Sequence, residues 1–259
     1  MAKVRHSKPD YVIGAVSKAL AVLQVFIDER KQELSLTEIT SLMGLNKNAV
    51  FRILFTLTQS GFLRRVPQSG KYQLSLRCIE LGRTARLAYD LRRLSLPYMQ
   101  RLWEEFGDTV NLAVLDKGEI CYLEVLESPH RFKLVAHPGD RDPVHSTALG
   151  KSMLAHLPVE EVKEILKQRG MPRFTPRTIT AWPQMEKELG KIRRHGYAVN
   201  DGETVEASRC VAVAIFGGRG NVVGALSVSG TAARITDDRI GRVSQSLLKS
   251  SAEISEQID

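Results

Sequence analysis

Cysteine is scarce in this 259-residue chain: Cys78, Cys121 and Cys210 are the only three, and they lie far apart. An odd count with no C-x-x-C pairing argues against a disulfide framework and against a structural zinc site, and suits a reducing compartment. Long apolar runs are missing too. None approaches the ~18 residues a membrane span needs, and the opening MAKVRHSKPD lacks the apolar stretch of a secretory signal. The expectation is a soluble, cytoplasmic protein, without repeats or low-complexity tracts. The most informative absence is local. No Asp or Glu occurs from residue 39 to 79, where six Lys and Arg fall, although the overall acid content of 29 in 259 would place about five there.

With 43% apolar residues, the chain can build a real core as one large or two modest domains. The formal charge of +8 points to a polyanionic partner. Where that charge sits follows from the periodicity. VSKALAVLQVFID places Val16, Leu20, Leu23 and Ile27 on one helical face. In ELSLTEITSLMGLN, Ser35 and Glu38 fit an S-x-x-E capping box, and Gly44 ends a helix of about two turns. Asn46 caps a third helix whose Val50, Ile53, Leu54 and Leu57 are apolar and which stops at Ser60-Gly61. FLRRV and YQLS flank a turn containing Pro67 and Gly70. Helix, helix, helix, hairpin is the plan of a winged helix-turn-helix.

The rest predicts an α+β domain. Helical segments run through LRCIELGRTARLAYDL and, around Pro97, YMQRLWEEFG; NLAVL and CYLEVLE form a hairpin about DKGEI, and FKLVA is read as a further strand. Helices are expected at TALGKSMLAH, VEEVKEILKQR and WPQMEKELGKIRRHG, strands at YAVN, CVAVAIF and VVGALSVSG, and a long amphipathic helix at the C-terminus. The result is an antiparallel sheet flanked by helices. The expected divisions are residues 1–75, a linker helix over 76–92, and a second domain over 93–259.

In a helix-turn-helix the start of the second helix enters the major groove, so its first turns need groups that bond base edges and phosphates. Asn46, Lys47, Asn48 and Arg52 stand there. Asn can pair with adenine, Arg and Lys with guanine, and carboxylates would repel phosphates, which accounts for their absence. Arg64, Arg65 and Lys71 sit on the expected wing. Ser35, Thr37 and Ala49 complete the candidate DNA-binding set.

A second candidate site lies in the C-terminal half. Thr147, Ala148, Leu149 and Gly150 start a predicted helix, where unpaired amides can hold an anion. Ser227 and Ser229 alternate in one strand, and Cys210 begins the neighbouring one, so three small polar groups can face one cavity. On residues alone the serines can equally be ordinary sheet hydroxyls, and Cys210 a small core residue.

LSLTEITSLMGLNKNAVFRILFTLTQSGFLRR, KYQLSLRCIELG, PVHSTALGKSMLA, RFTPRTIT, HGYAVNDGE, RCVAVAIF and ALSVSG together resemble the IclR family of bacterial transcriptional regulators over nearly the whole chain, about residues 12–257. The resemblance implies a winged DNA-binding domain, a linker helix used in dimer contacts, and a GAF-like domain that binds a small-molecule effector. It implies homodimers or homotetramers on a double-stranded, palindromic operator. It also implies that Ala148, Leu149, Asn200, Cys210, Ser227 and Ser229 line the effector pocket. There are departures. Where the family commonly reads Lys-Ser-Thr-Val, this chain has Lys47, Asn48, Ala49 and Val50, so a different operator preference is expected. Asn200 stands where an acid is frequent, Ala207-Ser208 where glycine and an apolar residue are usual, and Ile215 where proline is common. A neutral Asn200 favours an organic acid as effector.

Other readings carry less. His145-Ser146, Cys210, Asp201 and Glu203 could be drawn as a nucleophile and base, but no G-x-S-x-G elbow supports catalysis. His130, His137 and His145 lack metal-ligand spacing, and GGRGNVVG joins two strands without the Lys of a phosphate loop. Neither a metal nor a cofactor is expected. The alternative to a regulator is an enzyme or small-molecule-binding domain with a basic nucleic-acid-binding appendage.

Overall fold

The computed structural model describes residues 12–83, 86–131 and 133–258, with the side chains of 83 and 86–89 left aside. The chain forms two compact units, residues 1–85 and 86–259.

In the first unit, α1 (Gly14–Glu29), α2 (Leu36–Met43) and α3 (Lys47–Gln59) precede β1 (Leu63–Arg65), β2 (Tyr72–Leu74) and α4 (Leu76–Arg83). Ser35 caps α2 in a full capping box: its hydroxyl accepts from the Glu38 amide while the Glu38 carboxylate accepts from the Ser35 amide. Gly44, in the left-handed region at φ +62°, ends α2 and turns the chain into α3, which Asn46 caps. β1 and β2 pair antiparallel, Leu63 opposite Leu74 and Arg65 opposite Tyr72. Val22, Phe26, Leu34, Ile39, Val50, Leu54, Leu57, Leu63 and Tyr72 form the core. This is a winged helix-turn-helix.

The second unit begins with α5 (Arg86–Phe106) and continues through β3 (Thr109–Asp116), β4 (Glu119–Leu126), β5 (Arg141–Pro143), α6 (Ala148–Leu154), α7 (Val159–Arg169), α8 (Trp182–His195), β6 (Ala198–Asp201), β7 (Ser208–Phe216), β8 (Val222–Thr231) and α9 (Asp237–Ser255). The six strands form one sheet in the order β5-β4-β3-β8-β7-β6, antiparallel throughout. Strand alternation sorts the side chains by size. Val110, Leu112, Val211, Val213, Ile215, Leu226 and Val228 pack with Leu91, Met99, Leu102, Phe106, Val243 and Leu247 of α5 and α9. The opposite face carries Asn111, Ala113, Cys210, Ala212, Ala225, Ser227 and Ser229, small enough to leave room between the sheet and α6.

Two sequence expectations change. Lys133–Ala136 form no strand, and Phe132 lies outside the described residues; β5, at 141–143, takes the place beside β4. The apolar run there has another use, because Leu134, Val135 and Ala136 wall a cavity instead. The helical segments either side of Pro97 are one continuous α5. Leu91 before the proline and Met99, Leu102 and Phe106 after it anchor to one sheet face, which outweighs the ~3 kcal/mol a mid-helix proline costs.

Candidate functional site

α3 buries Val50, Leu54 and Leu57 against α1, α2 and β1 and leaves the opposite side open. Lys47, Asn48 and Arg52 are exposed there, and Ala49 is half-buried. Asn46 is committed in part: its Oδ1 accepts from the Ala49 amide at 2.8 Å. Ser35 is wholly engaged in its capping box, whereas Thr37 is exposed on α2. Arg64 and Arg65 are exposed on β1, and Lys71 is half-buried beside β2. Arg65 Nε donates to the Gly70 carbonyl at 3.1 Å and so braces the wing turn. Ser69 donates to Glu33 at 2.9 Å, which places a carboxylate at the wing tip although none occurs within residues 39–79.

The second unit holds a cavity of about 240 Å³ between the small-residue sheet face, α6 and the chain around residue 204. Thr147, Ala148, Leu149, Asn200, Cys210, Ser227 and Ser229 line it; Gly150 does not. A Cβ on Gly150 would sit 2.3 Å from the Val144 backbone, so this glycine lets α6 approach that strand-end turn. Its amide is also used, donating to Thr147 Oγ1 at 3.1 Å, so the helix start offers fewer free amides than expected.

Asn111, Tyr122, Asp142, Thr204, Val205 and Ser208 also line the cavity and were not legible as site residues. Asn111 Nδ2 donates to Ser227 Oγ and Ser229 Oγ, each at 3.1 Å, so the serine hydroxyl hydrogens can turn toward an acceptor in the cavity. A signal existed: Asn111 is the polar residue in the apolar strand NLAVL, in register with Ser227. Asp142 gave none, being one acid among the charges of GDRDP. Its carboxylate accepts from the Tyr122 hydroxyl at 2.9 Å. Burial, reinforced by Asp142, drives the Tyr122 phenol well above its ordinary range. Burial likewise pushes the Cys210 thiol up to about 11, opposed by the neighbouring Ser229 side chain, so both groups stay neutral at physiological pH. Among the described residues the lining contains no Lys, Arg or His.

Behind the cavity wall, Lys151 is fully buried in α6. Its ammonium donates to the Val199 carbonyl at 2.8 Å, pairs with Glu203, and lies 3.5 Å from Glu188. The Glu203 amide donates to Asn200 Oδ1 at 2.8 Å, and Asn200 Nδ2 donates to the Ser146 carbonyl at 2.8 Å and to Thr204. Thr175 and Thr178 close the loop by donating to the Gly202 and Glu203 carbonyls. Asn200 therefore shapes the wall with its amide already occupied. Among the described residues no three His, Cys, Asp or Glu side chains gather as a metal site requires, and no helix is long and apolar enough to cross a membrane.

A winged helix-turn-helix with a basic third helix, carried on a chain whose second unit encloses a small cavity of mixed polar and apolar lining, is the arrangement of a DNA-binding regulator with room for a small molecule. Residues 15–67 match the IclR helix-turn-helix domain and residues 85–256 the family described as bacterial transcriptional regulator IclR C-terminal. The chain belongs to the IclR family of DNA-binding transcriptional regulators. It is 32% identical over 236 residues to the HTH-type transcriptional regulator XynR of Escherichia coli (strain K12), spanning 91% of this chain and 93% of that one. The Thermotoga maritima IclR crystal structure superposes with a TM-score of 0.79 at 30% identity, covering 95% and 99% of the two chains. An IclR homologue from Microbacterium hydrocarbonoxydans, crystallised with 4-hydroxybenzoate, gives 0.84 at 26% identity, covering 94% and 98%. The named relatives are regulators, and so the enzyme alternative is set aside.

Proposed function

We propose that this regulator binds a palindromic operator as a homodimer or homotetramer in the cytoplasm, and that a small organic acid in the cavity modulates that binding. The observation that carries the ligand class is the Asn111–Ser227–Ser229 cluster, where two accepted hydrogen bonds leave hydroxyl hydrogens suited to a carboxylate. The Asp142 carboxylate adds a requirement: a ligand group beside it should donate a hydrogen bond, so a hydroxylated acid fits better than a simple one. The 4-hydroxybenzoate bound by the Microbacterium homologue is a molecule of this kind.

Residues 1–75 hold DNA through Thr37, Asn46, Lys47, Asn48, Arg52, Arg64, Arg65 and Lys71, with Ser35 and Ala49 at the helix starts; 76–92 link; 93–259 sense the effector. Thr147, Ala148, Leu149, Cys210, Ser227 and Ser229 contact the ligand, Asn200 shapes the wall, and Gly150 supports α6. Leu76 at 76% and Ile79 at 62% exposure on α4 are apolar surface that a homodimer contact would cover.

Thermal-shift screening of aromatic and aliphatic hydroxy acids tests the ligand class. Stabilisation is expected from hydroxy acids and loss of it in Ser227→Ala/Ser229→Ala. Stabilisation by neutral compounds alone, or an unchanged response in that double variant, would remove the assignment.

A further inference from the structure

α3 carries two large apolar side chains on its open side, Phe51 at 50% and Phe55 at 56% exposure. Neither takes part in the core of the first unit, which α3 joins through Val50, Leu54 and Leu57. Single exposed apolar residues are ordinary on protein surfaces. These two are not scattered. Asn48, Phe51, Arg52 and Phe55 fall at i, i+3, i+4 and i+7, which makes them one continuous stripe along the helix.

The chemistry of the stripe limits what can cover it. Lys47 and Arg52 flank the rings, and no acid occurs from 39 to 79 to balance them. A second copy meeting this face across a two-fold axis would set guanidinium against guanidinium, whereas a polyanion would be attracted. The major groove of B-DNA combines phosphate rims with one apolar group on its base edges, the C5 methyl of thymine. Four residues of helix advance about 6 Å, close to two base steps, so the two rings can reach methyls one or two base pairs apart.

We propose that Phe51 and Phe55 are specificity-determining residues that read thymine methyl groups in the operator half-site, beside the base pair addressed by Asn48. The inference rests on α3 being the helix that enters the groove, and the test separates the two.

An operator is first selected from a random duplex pool with the full-length protein. Each thymine is then replaced singly by deoxyuridine, which removes only the methyl. Wild-type affinity should fall about fourfold at one or two thymines per half-site, the worth of one buried methyl. Phe51→Ala and Phe55→Ala should bind the thymine operator more weakly, lose sensitivity to deoxyuridine at those positions, and keep the wild-type melting temperature and sedimentation. If both variants kept the wild-type sensitivity to deoxyuridine, or if they changed the oligomeric state while operator affinity held, the proposal would be overturned. Arg52→Ala reports on the underlying reading. Weakened binding there with indifferent phenylalanines sinks only the methyl readout; undiminished binding and an unchanged salt dependence in Arg52→Ala would remove α3 from the groove, and this proposal with it.

Discussion

Lysine without exposed surface needs a counter-charge, and Lys151 is held between Glu203 and Glu188. Replacing it with Met would leave Glu203 buried beside Glu188 with no cation, a loss of ~3–5 kcal/mol at neutral pH. Burial already pushes the Glu203 carboxyl upward, with Glu188 and Asp201 adding to the push and Lys151 opposing it. In Lys151→Met it rises further. A folded-state carboxyl raised above its ordinary 4.5 binds its proton more tightly folded than unfolded, so the variant keeps most stability below that pH and loses it as pH rises through the raised value. Urea unfolding should therefore show a smaller deficit at pH 5 than at pH 8. Lys151→Met/Glu203→Gln should be nearly flat between them; equal deficits in both proteins would show that the pair is not the cause. Gly150→Ala should destabilise by about 3 kcal/mol, the upper range for overpacking, because the added carbon meets Val144 backbone rather than a movable side chain. Urea unfolding of that variant measures it. Both residues lie in ALGKSML, where sequence reasoning pointed at the ligand and passed over Lys151. Spacing alone does not distinguish a glycine that admits a ligand from one that admits a backbone, nor a buried lysine from a solvated one.

At the scale of the element, α2 offers a pH-dependent cap. The Ser35 amide and hydroxyl hold the Glu38 carboxyl down at about 2. A depressed carboxyl contributes stability above its ordinary pKa of 4.5 and loses it as pH falls through the folded value, so the window is about pH 4.5 to 2. Glu38→Gln should remove that part of the acid sensitivity of the first unit, seen as faster amide exchange of α2 at pH 6 and a shallower change between pH 5 and 3. An unaltered acid profile would mean the cap is not the titrating group. This cap was legible because S-x-x-E is a local pattern, closed within one helical turn. The sheet was legible for a similar reason: in CVAVAIF and ALSVSG small and large residues alternate, and the structure turns Cys210, Ala212, Ser227 and Ser229 to one face. Lys133–Ala136 form no strand, because the consecutive side chains of Leu134, Val135 and Ala136 wall the cavity, and an apolar run does not by itself record strand pairing. Pro97 misled in the opposite direction, because the contacts that keep α5 whole come from β3, β4 and α9, packing that no pattern within the helix records. Asp142 and Tyr122 meet Cys210 in the cavity only once the six strands are assembled, so no local pattern could place them together.

For the whole molecule, charge and ligand act on one equilibrium. The candidate phosphate contacts Lys47, Arg52, Arg64, Arg65 and Lys71 would neutralise up to five phosphates per copy, one fewer if the bond from Arg65 to Gly70 persists on DNA. For a dimer, log affinity against log salt should then have a slope of roughly −7 to −9, reduced in magnitude by about 1.8 in Arg52→Ala. A slope near zero would exclude the phosphate contacts altogether. The effector can change operator affinity only by binding the DNA-competent and DNA-incompetent arrangements unequally, typically by ~1–3 kcal/mol, or about 5- to 150-fold. Linkage then fixes a second measurement. Whatever factor a hydroxy acid imposes on operator affinity, the operator must impose on hydroxy-acid affinity, in the same direction. Calorimetric titration of the acid into free and operator-bound protein at one salt concentration should return the factor found by titrating DNA with and without saturating acid. Ser227→Ala/Ser229→Ala should lose both effects together. If that variant stopped binding the acid in solution while the acid still shifted operator affinity, the regulating site would lie outside the cavity, and the coupling would have to be sought elsewhere on the chain.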